Sequence, residues 1–166
     1  MSSSIRSLLL SALLAGGIVG LSIAEPNSAE REAIVAYQQN AFIEQLRDIH
    51  ESAGFAVPVE VDWESIALPG QAAHYAAEDY WTNVYFVPLA EALEMLTSYD
   101  QGRQAVQGKL KRVVVRYDAS QASTSDYHSK VALESGVLNI NFKPASAAEQ
   151  IEERTEAIQS SLETLL

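Results

Sequence analysis

The sequence predicts an α+β fold: a two-layer sandwich of about four mainly antiparallel strands with helices on one face, in the order α-β-α-α-β-β-β-α. Three observations predict it. Segments near both ends of the chain repeat their apolar residues at helical spacing. The stretches "VPVEVDWES", "KRVVVRYDAS", "YHSKVALE" and "VLNINFK" alternate apolar and polar residues with a period of two. Each segment has a single apolar face, which must be buried against another element.

The first two dozen residues read as an export signal. The head "MSSSIR" carries one cation, Arg6, and the apolar run "LLLSALLAGGIVGLSIA" follows. Ser22 and Ala24 form a small-residue cleavage pattern, which places the cut after Ala24 and leaves 25–166 as one α+β domain. The alternative is an uncleaved anchor, because the run approaches a minimal span. Gly16, Gly17 and Gly20 weaken a spanning helix. The expected location is periplasmic or extracellular, with no stable membrane insertion after cleavage.

The mature start, from "EPNSAEREA" to Gly54, reads as one long helix capped by Asn27 or Ser28, with Val35, Phe42, Leu46, Ile49 and Ala53 on its buried stripe. The alternation of Val57, Val59, Val61 and Trp63 with Pro58, Glu60, Asp62 and Glu64 marks a strand, and Pro58 favours its start or an edge. Pro69-Gly70 makes a turn, after which a short helix is expected over 71–81. Pro88 opens the next helix, whose apolar face is Leu89, Ala92, Leu93 and Leu96.

Three strands follow. Val113, Val115 and Tyr117 face one way, and Arg112, Val114 and Arg116 the other. Ser135-Gly136 fits a two-residue hairpin turn that sets Leu133 opposite Leu138. Pairing of the first strand with the second would set the acids of one across from the arginines of the other. The last segment opens on Ser146-x-x-Glu149, a capping-box pattern. It carries Ala148, Ile151, Thr155, Ile158, Leu162 and Leu165 as its stripe, with Arg154 a lone cation among glutamates. That stripe also fits a short coiled-coil seam, so the oligomeric state stays open.

Composition excludes several function classes. The chain of 166 residues has no cysteine, which removes disulfides, thiolate metal sites and cysteine nucleophiles. Its net charge is −11, and loss of residues 1–24 removes only Arg6, making it more negative. Nucleic acid and anionic membrane surfaces both require the opposite balance. No phosphate-binding glycine loop and no G-x-S-x-G nucleophile turn is present, and no cofactor motif is seen.

The densest chemistry lies in "HYAAEDYW", residues 74–81. His74 and Glu78 are spaced i, i+4, as two ligands on one helical face would be, but the H-e-x-x-H zinc pattern is absent. A third ligand would have to come from Asp79, His50 or His128. Tyr80 and Trp81 suit a ligand-gripping surface or the margin of a core equally by type. Ser125, Asp126 and His128 match a catalytic triad only in residue type.

The reading that combines these features is an exported, non-catalytic binding domain whose ligand is a protein or peptide. Its candidate contacts are His74, Glu78, Asp79, Tyr80 and Trp81 on one segment and Arg112 and Arg116 on the polar sheet face. Two alternatives stand beside it: a metal-dependent or His-assisted hydrolase using His74 and Glu78, and an acidic inhibitor or immunity-type protein that neutralises a cationic enzyme.

Overall fold

The computed structural model describes residues 25–77, 79–121 and 126–166. The export signal read over 1–24, Glu78 and Ser125 lie outside those residues. The described chain mixes helices with one four-stranded sheet. None of its helices is long and apolar enough to cross a membrane.

The chain opens with α1 (Ser28–Gln39) and α2 (Ala41–Ala53), where the sequence pattern predicts one helix. Asn27 caps α1 in a complete capping box: its side chain accepts from the Ala29 and Glu30 N–H groups, and Glu30 reaches back to the Asn27 N–H. The break falls at Asn40, whose backbone (φ −122°, ψ −92°) leaves the helical region. Its side-chain amide donates to the Ala36 carbonyl at 2.8 Å, the local bonding by which asparagine competes with a helical ladder. The break resets the phase of the apolar stripe. Ile34 and Tyr37 are buried, whereas Val35 is 49% exposed.

Strand β1 is short (Val59–Val61). After it come α3 (Ala72–Tyr75), α4 (Asp79–Trp81), a π-helical turn over Thr82–Phe86, α5 (Val87–Thr97) and α6 (Asp100–Lys109). The π turn joins α4 to α5, and Trp81, Val84, Tyr85 and Phe86 around it are fully buried. Pro88 sits in the first turn of α5, as expected from its lack of an N–H. Helix α5 packs against α2, α6 and a later helix, α7 (Ile151–Leu162). Leu89, Leu93 and Leu96 are inside, each contributing roughly 1.5–3 kcal/mol by burial.

The remaining strands are β2 (Arg112–Val115), β3 (Val131–Glu134) and β4 (Val137–Ile140), and the sheet order is β1-β2-β4-β3. The expectation of a mainly antiparallel sheet is overturned. β1 pairs β2 in parallel, β2 pairs β4 in parallel, and only β3–β4 is antiparallel. A parallel pair needs a long crossover, and the helices α3–α6 between β1 and β2 supply one. The hairpin is as read: Leu133 lies opposite Leu138, and Ser135 and Gly136 take positive φ of 54° and 85°. Both central residues of a type I′ turn require that conformation. A Cβ on Gly136 would also come within 2.4 Å of the Lys109 carbonyl, so glycine is needed twice over.

One face of the sheet is core: Val113, Val115, Val131, Leu138 and Ile140 are buried, with α7 packed on β3 and β4. The other face exposes Glu60, Arg112, Arg116, Ala132 and Glu134 around half-buried Val114, Val137 and Asn139. The predicted capping box at Ser146–Glu149 does not form. α7 starts at Ile151 behind Gln150, which makes no side-chain cap. The Ser146 hydroxyl instead donates to the Lys143 carbonyl at 2.6 Å and accepts from Arg154 at 2.8 Å.

Candidate functional site

The structure separates the sequence-derived candidates into core and surface. Tyr80 is 9% exposed and its hydroxyl donates to the Pro144 and Ser146 carbonyls at 2.6 and 3.0 Å. Trp81 is fully buried, its indole N–H held by the Ile66 carbonyl at 3.1 Å. Its neighbour Tyr75 stacks on it at 4.7 Å and accepts a hydrogen bond from the Leu68 N–H. Burial pushes the Tyr75 phenol up to about 12 and raises Tyr80 as well. These rings hold the fold around the π turn. Satisfied partners and burial leave them little surface for a ligand.

His74 and Asp79 are exposed, the imidazole ring lying 5.4 Å from the Tyr80 ring. His74 lies on α3, which ends at Tyr75, and Glu78 is not among the described residues. His50 bonds through Nε2 to the Val57 carbonyl at 2.9 Å, and His128 is exposed, its backbone N–H donating to Asp126. Among the described residues, no group of three or more His, Asp or Glu side chains is placed to hold a metal ion.

Arg112 and Arg116 both project from the open sheet face. Arg112 meets Glu60 of the neighbouring strand at 3.1 Å, the cross-strand pairing that the alternation implies.

The arrangement that sequence reasoning missed lies at the C-terminal ends of β2 and β4. In sheets with parallel strands, ligands bind outside those ends. Here Tyr117 follows β2; Asn141, Phe142 and Lys143 follow β4; Tyr127 and Lys130 precede β3. With Ser146, Ala147, Gln150 and Glu153 they line a pocket of about 390 Å³. Phe142 and Tyr117 are buried at its base, with Phe142 edge-on to Tyr127 at 5.4 Å.

Its polar groups are mostly donors. The Asn141 side-chain oxygen is committed to the Asp118 N–H at 2.8 Å, which leaves its NH2 as the free end. The Gln150 oxygen is committed to the Tyr127 hydroxyl at 2.6 Å, leaving a second NH2. Lys130 and Lys143 add ammonium groups, and Glu153 is the sole carboxylate of the lining among the described residues.

Directly behind this wall sits Arg154, fully buried. Its Nη atoms donate to the Gln150 and Ala147 carbonyls and the Ser146 hydroxyl at 2.8–2.9 Å. Its guanidinium lies 4.8 Å from the Tyr127 ring centre and 5.8 Å from that of Phe142. No carboxylate among the described residues pairs with it, and its Nε–H has no partner. Burial pulls the guanidinium below its usual range, and the nearby Tyr127, Tyr85, Tyr80 and Glu153 push the other way. An arginine nevertheless keeps its charge in proteins. A buried, unpaired charge is expensive, and every pocket wall that touches it is shared with the site.

A larger hollow of about 550 Å³ lies between α1 and α3, but its walls are mainly the methyl groups of Ala29, Ala33, Ala36, Ala72 and Ala76. It has no orphaned buried polar atom, whereas Arg154 Nε is the one such side-chain atom among the described residues. The smaller pocket is therefore the better candidate, since a specific site needs convergent polar groups as well as space.

No protein-family model matches the chain, nor does any curated protein or solved structure. A signal for the pocket was present in the sequence. Arg154 falls three residues after Ile151 and four before Ile158, on the edge of the buried stripe of α7.

Proposed function

We propose that the protein is an exported, non-catalytic binding domain that holds part of a protein or peptide ligand in the pocket between β4, the segment before β3, and the start of α7. The observation that carries this reading is Arg154: a fully buried cation without a counter-charge among the described residues, behind an aromatic wall whose free polar groups are mostly donors. Natural interiors rarely keep such a charge for stability alone, because an apolar side chain of similar size serves the fold as well or better. The pocket lining supports binding over turnover. It brings amides, lysines, phenols and one glutamate together, with no nucleophile activated by a neighbouring base. The hydrolase alternative through His74 and Glu78 draws no support from the described residues.

Export belongs to the same proposal and rests on the apolar run and the Ser22/Ala24 pattern. In this reading the domain is a two-layer sandwich with the pocket at one end of the sheet. Two measurements test it. Isotopically labelled protein titrated with a chemically mixed fragment set should show amide shifts clustered at Asn141, Lys143, Gln150 and Tyr127. Binding confined to 74–81 or to the alanine-lined hollow would overturn the site. N-terminal sequencing of the cell-exported material should start at Glu25, and retention of Met1 in the cytosol would overturn export.

A further inference from the structure

We infer that the group recognised by this pocket is a carboxylate carried on an aromatic or branched apolar body. The inference rests on the reading of the pocket as the binding site. Four free donors, Lys130, Lys143 and the NH2 ends of Asn141 and Gln150, converge on a cavity of about 390 Å³, with the Arg154 charge behind them.

Three cations meet here in a chain with 11 Lys and Arg against 22 Asp and Glu, so the local field opposes the global one. Donors that outnumber the single carboxylate of the lining call for an acceptor-only group, and an ionised carboxylate is one. The walls specify the rest of the ligand. Tyr117, Tyr127, Phe142 and Ala147 offer ring faces and a methyl group, which favour an apolar body over a bare oxyanion. The volume lies near the lower end for ligand pockets, enough for one side chain with its acid. Glu153 on the rim opposes a dianion more strongly than a monoanion, which weighs against phosphate.

A free arylalkanoic acid and the C-terminal residue of a peptide share this chemistry, and carboxylate capture is an established way of reading a chain terminus. The two sources are separable by experiment. The chain is titrated by NMR with 3-phenylpropionate, 3-phenylpropanamide, a short peptide ending in phenylalanine with a free acid, the same peptide amidated, and inorganic phosphate.

The acids should shift Asn141 and Lys143, and each amide should bind at least tenfold more weakly. Phosphate should not compete. Tighter binding of the peptide acid than of 3-phenylpropionate would assign the ligand to a chain terminus, and the reverse order to a small acid. Arg154→Met should lower acid affinity at least tenfold with little effect on the amide. Should Arg154→Met fail to fold, Lys143→Gln on the exposed rim carries the same test with a several-fold loss. Equal binding of acid and amide in the pocket would overturn the carboxylate inference while leaving the pocket intact as a site. Equal binding of phosphate would do likewise. Pocket resonances unmoved by every probe and every fragment would overturn both.

Discussion

Two charged side chains among the described residues are fully buried, Glu30 and Arg154, and their surroundings differ in kind. The Glu30 carboxylate accepts from the Asn27, Gly70 and Ala72 backbone N–H groups at 3.0, 2.9 and 3.2 Å. It caps α1 and fastens the Pro69-Gly70 turn to that cap, and each of its bonds replaces a water that burial removed. Arg154 has backbone and hydroxyl acceptors for its Nη atoms, rings beside its guanidinium, and nothing for Nε. One charge is balanced by the fold. The other is held in place by the fold without being balanced, beside a cavity.

That contrast makes opposite demands on substitution. Glu30→Ala strands three backbone donors at the α1–α3 junction. An unsatisfied buried donor costs about 1–3 kcal/mol, and the more exposed of the three can turn to water, so the expected loss is about 3 kcal/mol. Urea denaturation measures it. A loss under about 1 kcal/mol would remove Glu30 from the structural side of the comparison.

Tyr75 braces the same turn, its hydroxyl accepting from the Leu68 N–H at 3.0 Å, and its folded-state phenol is raised to about 12 by burial from an ordinary value near 10. A raised pKa means that the folded state keeps the proton longer than the unfolded chain. This contribution is therefore complete below pH 10 and is lost as pH rises from 10 to 12. Each phenol of this kind steepens the alkaline limb by up to about 1.4 kcal/mol per pH unit. Tyr75→Phe lowers stability at neutral pH through the lost acceptor and flattens that limb. An unchanged slope above pH 10 would show that the phenol does not titrate differently in the two states.

The two buried charges were unequally legible in the sequence. Asn27 and Glu30 stand at capping-box spacing, and the helix start is a local event that local residues specify. The tight Ser135-Gly136 turn and the facing of Leu133 and Leu138 are local in the same sense. Strand direction is not local. Alternation of Val59, Val113 and Leu138 says which face is buried, but the same alternation fits parallel and antiparallel neighbours, so only the hairpin's direction was specified. Ser146 and Glu149 offered a capping box, yet Ser146 lies beside Arg154 and bonds to it, a tertiary contact that overrides the local signal. The long N-terminal stripe failed at Asn40, where one side-chain bond to Ala36 resets the helical phase. The pocket is assembled from residues far apart in the chain, and the spacing of Arg154 on the stripe of α7 marks one of its neighbours without announcing the rest.

Arg154→Met sharpens the comparison from the other side. It removes hydrogen bonds and ring contacts together with the cost of burying a charge, and such replacements are often neutral or stabilising. The net change expected is within about 1 kcal/mol, measured by the same denaturation series. A loss near 3 kcal/mol would make Arg154 a structural charge like Glu30, and the case for its serving a ligand would fall with it.

The exposed pair Glu60–Arg112 completes the series as a charge contact that water can replace. Its atoms approach to 3.1 Å, with the two side chains 56% and 48% exposed. Solvent screens such a pair, so a double-mutant cycle with Glu60→Gln and Arg112→Gln should give a coupling of about 0.5 kcal/mol that shrinks in high salt. Its structural use is register: Glu60 lies beside Val114, two residues from Arg112 and on the same face, in the parallel β1–β2 pair. A coupling well above 1 kcal/mol, insensitive to salt, would mean that the open sheet face is drier than its exposed side chains indicate. Arg112 would then belong with the buried charges, and the sheet face would regain its claim as a binding surface.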